Sequence, residues 1–285
     1  MKRILLAGAT GYLGSYIAKE LQKRDYFVKV IVRNPQKLEQ KEIEASEIVK
    51  AEVTQAESIK DCCESVDVVV STVGITRQKD GLTYMDVDYQ ANMNLLHQAQ
   101  QSGVKRFVYI SVLNGENLKH LKICEAKERF VEQLKKSRLD YCVVRPHGFF
   151  SDMSEFYHMA KKGRIYLFGN GELKGNPIHG EDLAELCVDA IESSNREINI
   201  GGPEVLTHNE IAITAFDALG KKPKITHLPD WLRIAILKMI KTFTGSKIYG
   251  PIEFFLTVMA IEMIAPQYGK HTLKEYYTEL RDMDA

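Results

Sequence analysis

Glycines 8, 11 and 14 in Gly8-Ala9-Thr10-Gly11-Tyr12-Leu13-Gly14 are spaced so that a chain can turn tightly beside a phosphate. The apolar run Ile4-Leu5-Leu6-Ala7 comes before them, and Leu13, Ile17, Ala18 and Leu21 follow at helical spacing. That strand–turn–helix setting gives the motif its weight. In it Gly8 permits the turn, Gly11 lets the backbone approach a pyrophosphate, and Gly14 lets the helix pack closely on the strand. The helix-start N–H groups, with Thr10, Tyr12 and Leu13 around them, then face the anion. The expected ligand is a dinucleotide.

The end of the second apolar run bears on which dinucleotide. A carboxylate there, about twenty residues past the loop, would bond the ribose 2′-hydroxyl of NAD. This chain has Val32-Arg33-Asn34 instead. Arg33, with Lys37 nearby, can make charge-assisted bonds to a 2′-phosphate, which favours NADP(H) over NAD(H). The alternative is that Arg33 is a solvated surface charge.

Composition narrows the class. Apolar residues are 45% and charged residues 27%, the profile of an ordinary soluble globular protein. Lys+Arg and Asp+Glu are balanced at 38 each, so no overall positive field draws nucleic acid. Cys62, Cys63, Cys124, Cys142 and Cys187 are odd in number and lack C-x-x-C spacing, which indicates neither a disulfide framework nor a zinc site. A reducing cytoplasm is the expected compartment. The adjacent Cys62-Cys63 reads as two small apolar residues at a helix end, with a redox pair as the alternative. The N-terminal apolar run breaks at Gly8, too early for a secretion signal. Ile252–Ala265 is apolar but short and carries Glu253 and Glu262, so it cannot span a bilayer. It reads as a buried helix or a dimer face, with docking on a membrane or a partner as the alternative.

The elements that must position these residues alternate. Strands are expected near residues 4–7, 27–32, 47–53, 66–70, 107–111 and 140–145. Helices are expected at about 56–63, 84–102 and 126–136. Such alternation is the mark of an α/β fold, a doubly wound parallel sheet of the Rossmann kind. After Pro146 come irregular glycine-rich sequence, a helix at 181–191 and a strand at 197–200. Gly201-Gly202-Pro203 then breaks the chain before a helix capped by Thr207. The expected division is a dinucleotide-binding core over residues 1–200, with a lobe insertion near 147–179. A small, mainly helical C-terminal lobe for substrate or partner would cover 201–285.

Four segments carry a resemblance: the glycine loop, Val32-Arg33-Asn34-Pro35, Ser71-Thr72-Val73-Gly74 and Val144-Arg145-Pro146. Gly202-Pro203-Glu204-Val205-Leu206-Thr207 and Ala218–Pro223 add to it. Together they resemble the atypical short-chain dehydrogenase/reductases, nearest the NmrA-like and complex I 39-kDa-subunit-like branches. The resemblance implies that Ser71, Thr72, Val73 and Gly74 line the adenosine and pyrophosphate, that Asn92 lies on the long helix, and that Pro146, His147, Gly148 and Phe149 flank the nicotinamide. His147 also reads as a plain loop histidine, and His179 as structural. The family's catalytic pattern is a Ser after the fifth strand and Tyr-x-x-x-Lys on the next helix. Ser111 and Lys127 match the outer positions, but the Tyr position is Ile123, which has no proton to give. Lys127 could still hold the nicotinamide ribose, or transfer a proton with a pKa lowered by burial, as the resemblance to isoflavone-reductase-like enzymes suggests. Tyr12, Tyr84, Tyr89 and Tyr109 are further candidate acids.

Two functions follow. One is an NADPH-dependent reductase of a small or hydrophobic acceptor, for which Phe149, Phe150, Phe156 and Tyr157 are either a pocket or core. The other is a non-catalytic NADP(H)-dependent redox sensor or complex-assembly protein acting through a protein partner, for which the missing Tyr argues. Replacing Arg33 by Ala is expected to weaken NADPH binding, read by titrating both dinucleotides. NADH binding at least as tightly as NADPH, with Arg33→Ala leaving NADPH affinity unchanged, contradicts the NADP(H) assignment.

Overall fold

The computed structural model describes residues 1–76, 78 and 81–284. The chain begins with β1 (Arg3–Ala7), α1 (Tyr12–Lys23), β2 (Phe27–Val32), the short α2 (Gln36–Glu39), β3 (Glu47–Lys50) and β4 (Val68–Ser71). A π-helical turn, Met85–Ala91, runs straight into α3 (Asn92–Gln101), followed by β5 (Arg106–Ile110), α4 (Lys122–Lys136) and β6 (Asp140–Pro146). Then come α5 (Phe150–Lys161), β7 (Ile165–Phe168), β8 (Lys174–Gly175), α6 (Gly180–Asp189) and β9 (Glu197–Ile200). The chain ends with β10 (Leu206–Thr207), α7 (His208–Ala218), β11 (Ile225–Leu228), α8 (Asp230–Phe243), α9 (Ser246–Val258) and α10 (Leu273–Met283).

Seven strands form one parallel sheet in the order β3-β2-β1-β4-β5-β6-β9. Ile4 on β1 lies opposite Val28 on one side and Val68 on the other. The winding therefore reverses between β1 and β4, and ligands of such sheets bind at the strand ends beside that reversal. The central strands are apolar throughout because both faces are covered. Leu5, Val69, Phe107, Tyr109 and Val143 share one buried cluster with Leu95 of α3 and with Phe130 and Leu134 of α4. Phe130 sits fully buried, its ring centroid 5.7 Å from Phe107 and 4.6 Å from Tyr109. Truncating such a side chain costs roughly 3–5 kcal/mol.

The chain divides into two compact units, Met1–Arg145 with Leu183–Ile198, and Pro146–Asp182 with Asn199–Ala285. In the second unit Phe150, Phe156 and Tyr157 of α5 pack with Ile211 and Phe216 of α7 and Leu273 and Tyr277 of α10. These three aromatics are core, not pocket lining. Thr207 caps α7 as expected, its hydroxyl accepting from Glu210 N in a reciprocal box that Glu210 completes.

Two elements depart from the periodicity. The helix expected at 56–63 is a single 3-10 turn, Ala56–Ile59, because Lys60 is extended and Asp61 takes a left-handed φ of 59°. The helix expected at 84–102 begins with the π-turn. Such turns insert an extra residue and are frequent at functional sites.

Gly14 sits where α1 presses on the loop before it; a Cβ there would lie 2.1 Å from the Gly8 carbonyl oxygen. Gly103, with φ of +70°, is open by contrast: a Cβ there would have nothing within 4 Å. Gly14→Ala is expected to cost more stability in urea melts, roughly 2–3 kcal/mol from overpacking against backbone, while Gly103→Ala costs about 1 kcal/mol from conformation alone. Equal losses would show that α1 does not need this contact.

Candidate functional site

The turn after β1 folds back on itself through Gly11 N–H donating to Gly8 O at 2.9 Å. Gly8 has φ of +91°, and a Cβ there would lie 2.4 Å from Thr72 Oγ1. Thr72, just past β4, donates its N–H to Ala7 O at 3.0 Å. The turn after β1 and the segment after β4 are thus in direct contact at the sheet's reversal. Gly11 is the N-cap of α1 without a side-chain cap, and the first turn holds no acidic residue. A helix start without an acidic residue of its own fits a pyrophosphate. Thr10 and Tyr12 are half-buried beside it, and Leu13 is buried beneath.

Beyond Thr72 the segment lies on a buried ion pair. Val73 is buried and Gly74 exposed; a Cβ on Gly74 would stand 2.6 Å from Asp88 Oδ1 and 2.9 Å from Lys127 Nζ. Lys127 Nζ of α4 lies 3.0 Å from Asp88 Oδ1 of the π-turn. Asp88 is fully buried, and its Oδ2 accepts from Ile75 N–H at 3.2 Å. Asn92 secures the π-turn: its Nδ2 donates to Asp88 O at 3.0 Å and Val73 O at 3.1 Å, and its Oδ1 accepts from Ser71 Oγ at 2.6 Å.

Burial pushes the Asp88 carboxyl above its usual range, opposed by Lys127. Burial alone would lower the Lys127 ammonium, but Tyr109 and Asp88 outweigh it and the net shift is upward. The direction is opposite to the lowering expected of a buried lysine standing alone, because Asp88 lies beside it. Tyr109 lies with its ring centroid 5.5 Å from Lys127 Nζ, and burial raises its hydroxyl well above the ordinary tyrosine value. Of the other candidate acids, Tyr84 donates to Thr76 O at 2.8 Å, Tyr89 stacks under Arg129 and Tyr12 packs edge-on against Tyr16.

Ser111 is drawn into a different network. Its Oγ donates to Glu128 Oε1 at 2.8 Å, and Glu128 is held by a two-pronged bond from Arg145 at 2.6 and 2.9 Å. Arg145 also reaches Glu197 at 3.1 Å and Glu116 at 3.3 Å. Ile123 is buried. Arg33 is mostly exposed at the end of β2, with Nη1 3.5 Å from Glu52 Oε2. Pro146, His147 and Phe149 belong to the second unit. Pro146 is buried at the end of β6, and Phe149 is half-buried as the N-cap of α5. Burial pushes His147 down to about 4, so it is neutral at physiological pH. A Cβ on Gly175 would lie 2.7 Å from its Nε2.

The structure thus gathers Gly8, Gly14, Thr72, Gly74 and Lys127 at the carboxyl ends of the central strands, and ties Ser111 to Glu128. Sequence reasoning missed Asp88, Glu128 and Glu52. Asp88 stands four residues before Asn92, a helical spacing that puts both on one face, and that signal was available. Nothing in the sequence pairs Glu128 with Arg145 or Glu52 with Arg33.

Residues 8–194 match the model of a family described as NAD(P)H-binding. Along 97% of its length the chain is 26% identical to the chloroplastic divinyl chlorophyllide a 8-vinyl-reductase of Arabidopsis thaliana, covering 76% of that protein. It is 25% identical to the photosystem II assembly factor Ycf39 of Trieres chinensis, over 96% of this chain and 86% of that one. An NADPH-dependent quinone oxidoreductase from Escherichia coli, solved with NADPH, shares the fold with a TM-score of 0.72 at 18% identity, over 98% of this chain and 99% of that one. Among the described residues no helix is long and apolar enough to cross a membrane.

The Asp88–Lys127 pair is testable by a double-mutant cycle. Asp88→Asn and Lys127→Met should each cost about 3 kcal/mol in chemical denaturation, because each leaves one polar partner buried alone. The double variant should lose clearly less than the sum. Additive losses would mean that the two groups do not interact.

Proposed function

The chain belongs to the NAD(P)H-binding family, and on that premise we propose that it is an NADPH-dependent reductase of a small, hydrophobic, conjugated acceptor. The observation that carries this reading is the Lys127 ammonium, held cationic by Asp88 directly beneath Gly74. The bound cofactor would supply the hydride. Gly8, Gly11 and Gly14 would receive its pyrophosphate, Ser71 to Gly74 would border its adenosine half, and Arg33 would bond the 2′-phosphate. Lys127 would orient the ribose and stabilise negative charge as it develops on the acceptor.

The acceptor class follows from what the side chains do not offer. Ile123 has no proton, Ser111 already donates to Glu128, and Lys127 retains its own. An acceptor whose charge delocalises onto oxygen, such as an enone or quinone, takes hydride at carbon and receives its proton afterwards from water. It needs no side-chain acid in the same step. The five cysteines are free and buried, which fits a reducing compartment, and the cytoplasm is the proposed location.

A second reading, a partner-binding assembly protein, is favoured by one feature of the second unit. Helix α8 has no buried residue, and Trp231, Met239 and Phe243 are 66%, 55% and 82% exposed. Lys238 and Lys241 lie among them, which disfavours self-pairing and suits a partner protein with an apolar, acid-rimmed surface. Here a W231S/M239S variant should lose a partner whose retention also depends on NADPH versus NADP⁺.

The first reading is tested by NADPH oxidation over a panel of enones and quinones. Turnover is expected, with kcat/KM flat between about pH 6 and 9 and lowered at least about tenfold in Lys127→Met. No oxidation above buffer, or a Lys127→Met enzyme with unchanged turnover, overturns it.

A further inference from the structure

His179, just before α6, and His271, just before α10, are 92 positions apart, yet their rings meet with centroids 4.4 Å apart and planes inclined by 36°. Glu181, in the first turn of α6, joins them. One ring nitrogen of each histidine and a carboxylate oxygen of Glu181 lie within 4.8 Å of one another, and His179 Nδ1 accepts the Glu181 N–H at 3.3 Å, a long bond that an ion on that ring would displace. All three residues lie in the second unit.

Asp182 prepares this cluster. It is fully buried, and its Oδ1 is 2.7 Å from His271 Nδ1. Its Oδ2 accepts the backbone N–H groups of Lys270 and His271 at 3.1 Å each. A carboxylate only accepts, so Nδ1 must carry a proton, and in the neutral ring Nε2 is left with its lone pair. A carboxylate holding the far nitrogen of an imidazole is the usual support behind a metal-binding histidine. Nε2 of His271 lies 3.4 Å from Glu181 Oε2. That is long for a strong ion pair. It matches the spacing of about 3.3–3.4 Å between two donors that each stand roughly 2.0–2.1 Å from one tetrahedral ion.

We propose that His179, Glu181 and His271 bind a zinc ion, with water at the fourth position and Asp182 as the supporting carboxylate. Two imidazoles and one carboxylate form a donor set suited to Zn²⁺. The Glu181 side chain is half exposed and free to close the wider spacings, and the acidic first turn of α6 offsets the positive end of its dipole. Phe150 and Tyr276 flank His179 at 5.7 and 6.2 Å and limit water on that side. The bound ion would pin the segment before α10 to the start of α6. This site is independent of the dinucleotide cradle and of the reductase reading.

The test is zinc titration of the full chain after chelator treatment, followed by calorimetry and by metal analysis of the dialysed protein. One zinc per chain with a dissociation constant at or below about 1 µM is expected. His271→Ala and Glu181→Gln should each weaken it at least about tenfold, and Asp182→Asn by about 10–100-fold. His97→Ala, on the exposed surface, should leave it unchanged. Glu181→Gln changes only an exposed side chain, so it remains informative if His271→Ala fails to fold. No zinc uptake by the wild-type chain, or uptake that survives both His271→Ala and Glu181→Gln, overturns the proposal.

Discussion

A carboxyl group taken wholly out of water must find a cation or take up a proton, and in this protein Asp88 finds Lys127. That requirement reaches well beyond two side chains. It ties α4 to the π-turn. A side chain at 74 would meet the pair and require it to shift. Asn92 then ties the same turn to Ser71 and Val73, so the segment after β4 is held from below by charge and from the side by hydrogen bonds. Through Thr72 that segment backs the glycine turn. The glycine turn therefore rests, two contacts removed, on a buried ion pair.

Consecutive residues of α4 serve two separate networks. Lys127 pairs with Asp88 and faces Tyr109, while Glu128 receives Arg145 and Ser111. One turn earlier Ile123 is buried where a tyrosine would stand in the pattern the sequence resembles. The helix keeps the lysine of that pattern without its tyrosine, and the Ser111 hydroxyl donates to Glu128. What remains is a positive charge beside the segment that backs the glycine turn.

The glycine turn was legible in the sequence because its causes are local. A glycine needed for a positive φ at position 8, or for backbone contact at position 14, leaves a mark at its own position. The strand at 27–32 and the Thr207 cap were equally plain, since a short apolar run and capping chemistry act over a few residues. The state of Lys127 was not legible. Its ionisation depends on a partner 39 positions away, and without that partner burial argues for the opposite shift. The same holds for Ser111, whose occupation by Glu128 depends on Arg145. The aromatics at 150, 156 and 157 show the reverse case: their helical spacing fitted core and pocket equally, and only packing against α7 and α10 decided it.

The permanence of the Lys127 charge is the point on which the functional reading turns. Nuclear magnetic resonance of the lysine side-chain ammonium groups, titrated with pH and assigned with Lys127→Met, measures it directly. Lys127 should remain protonated through pH 10.5, the ordinary lysine midpoint, and lose its proton only above it or on unfolding. A Lys127 midpoint near neutrality would contradict this, and would restore the lysine as a proton donor in its own right.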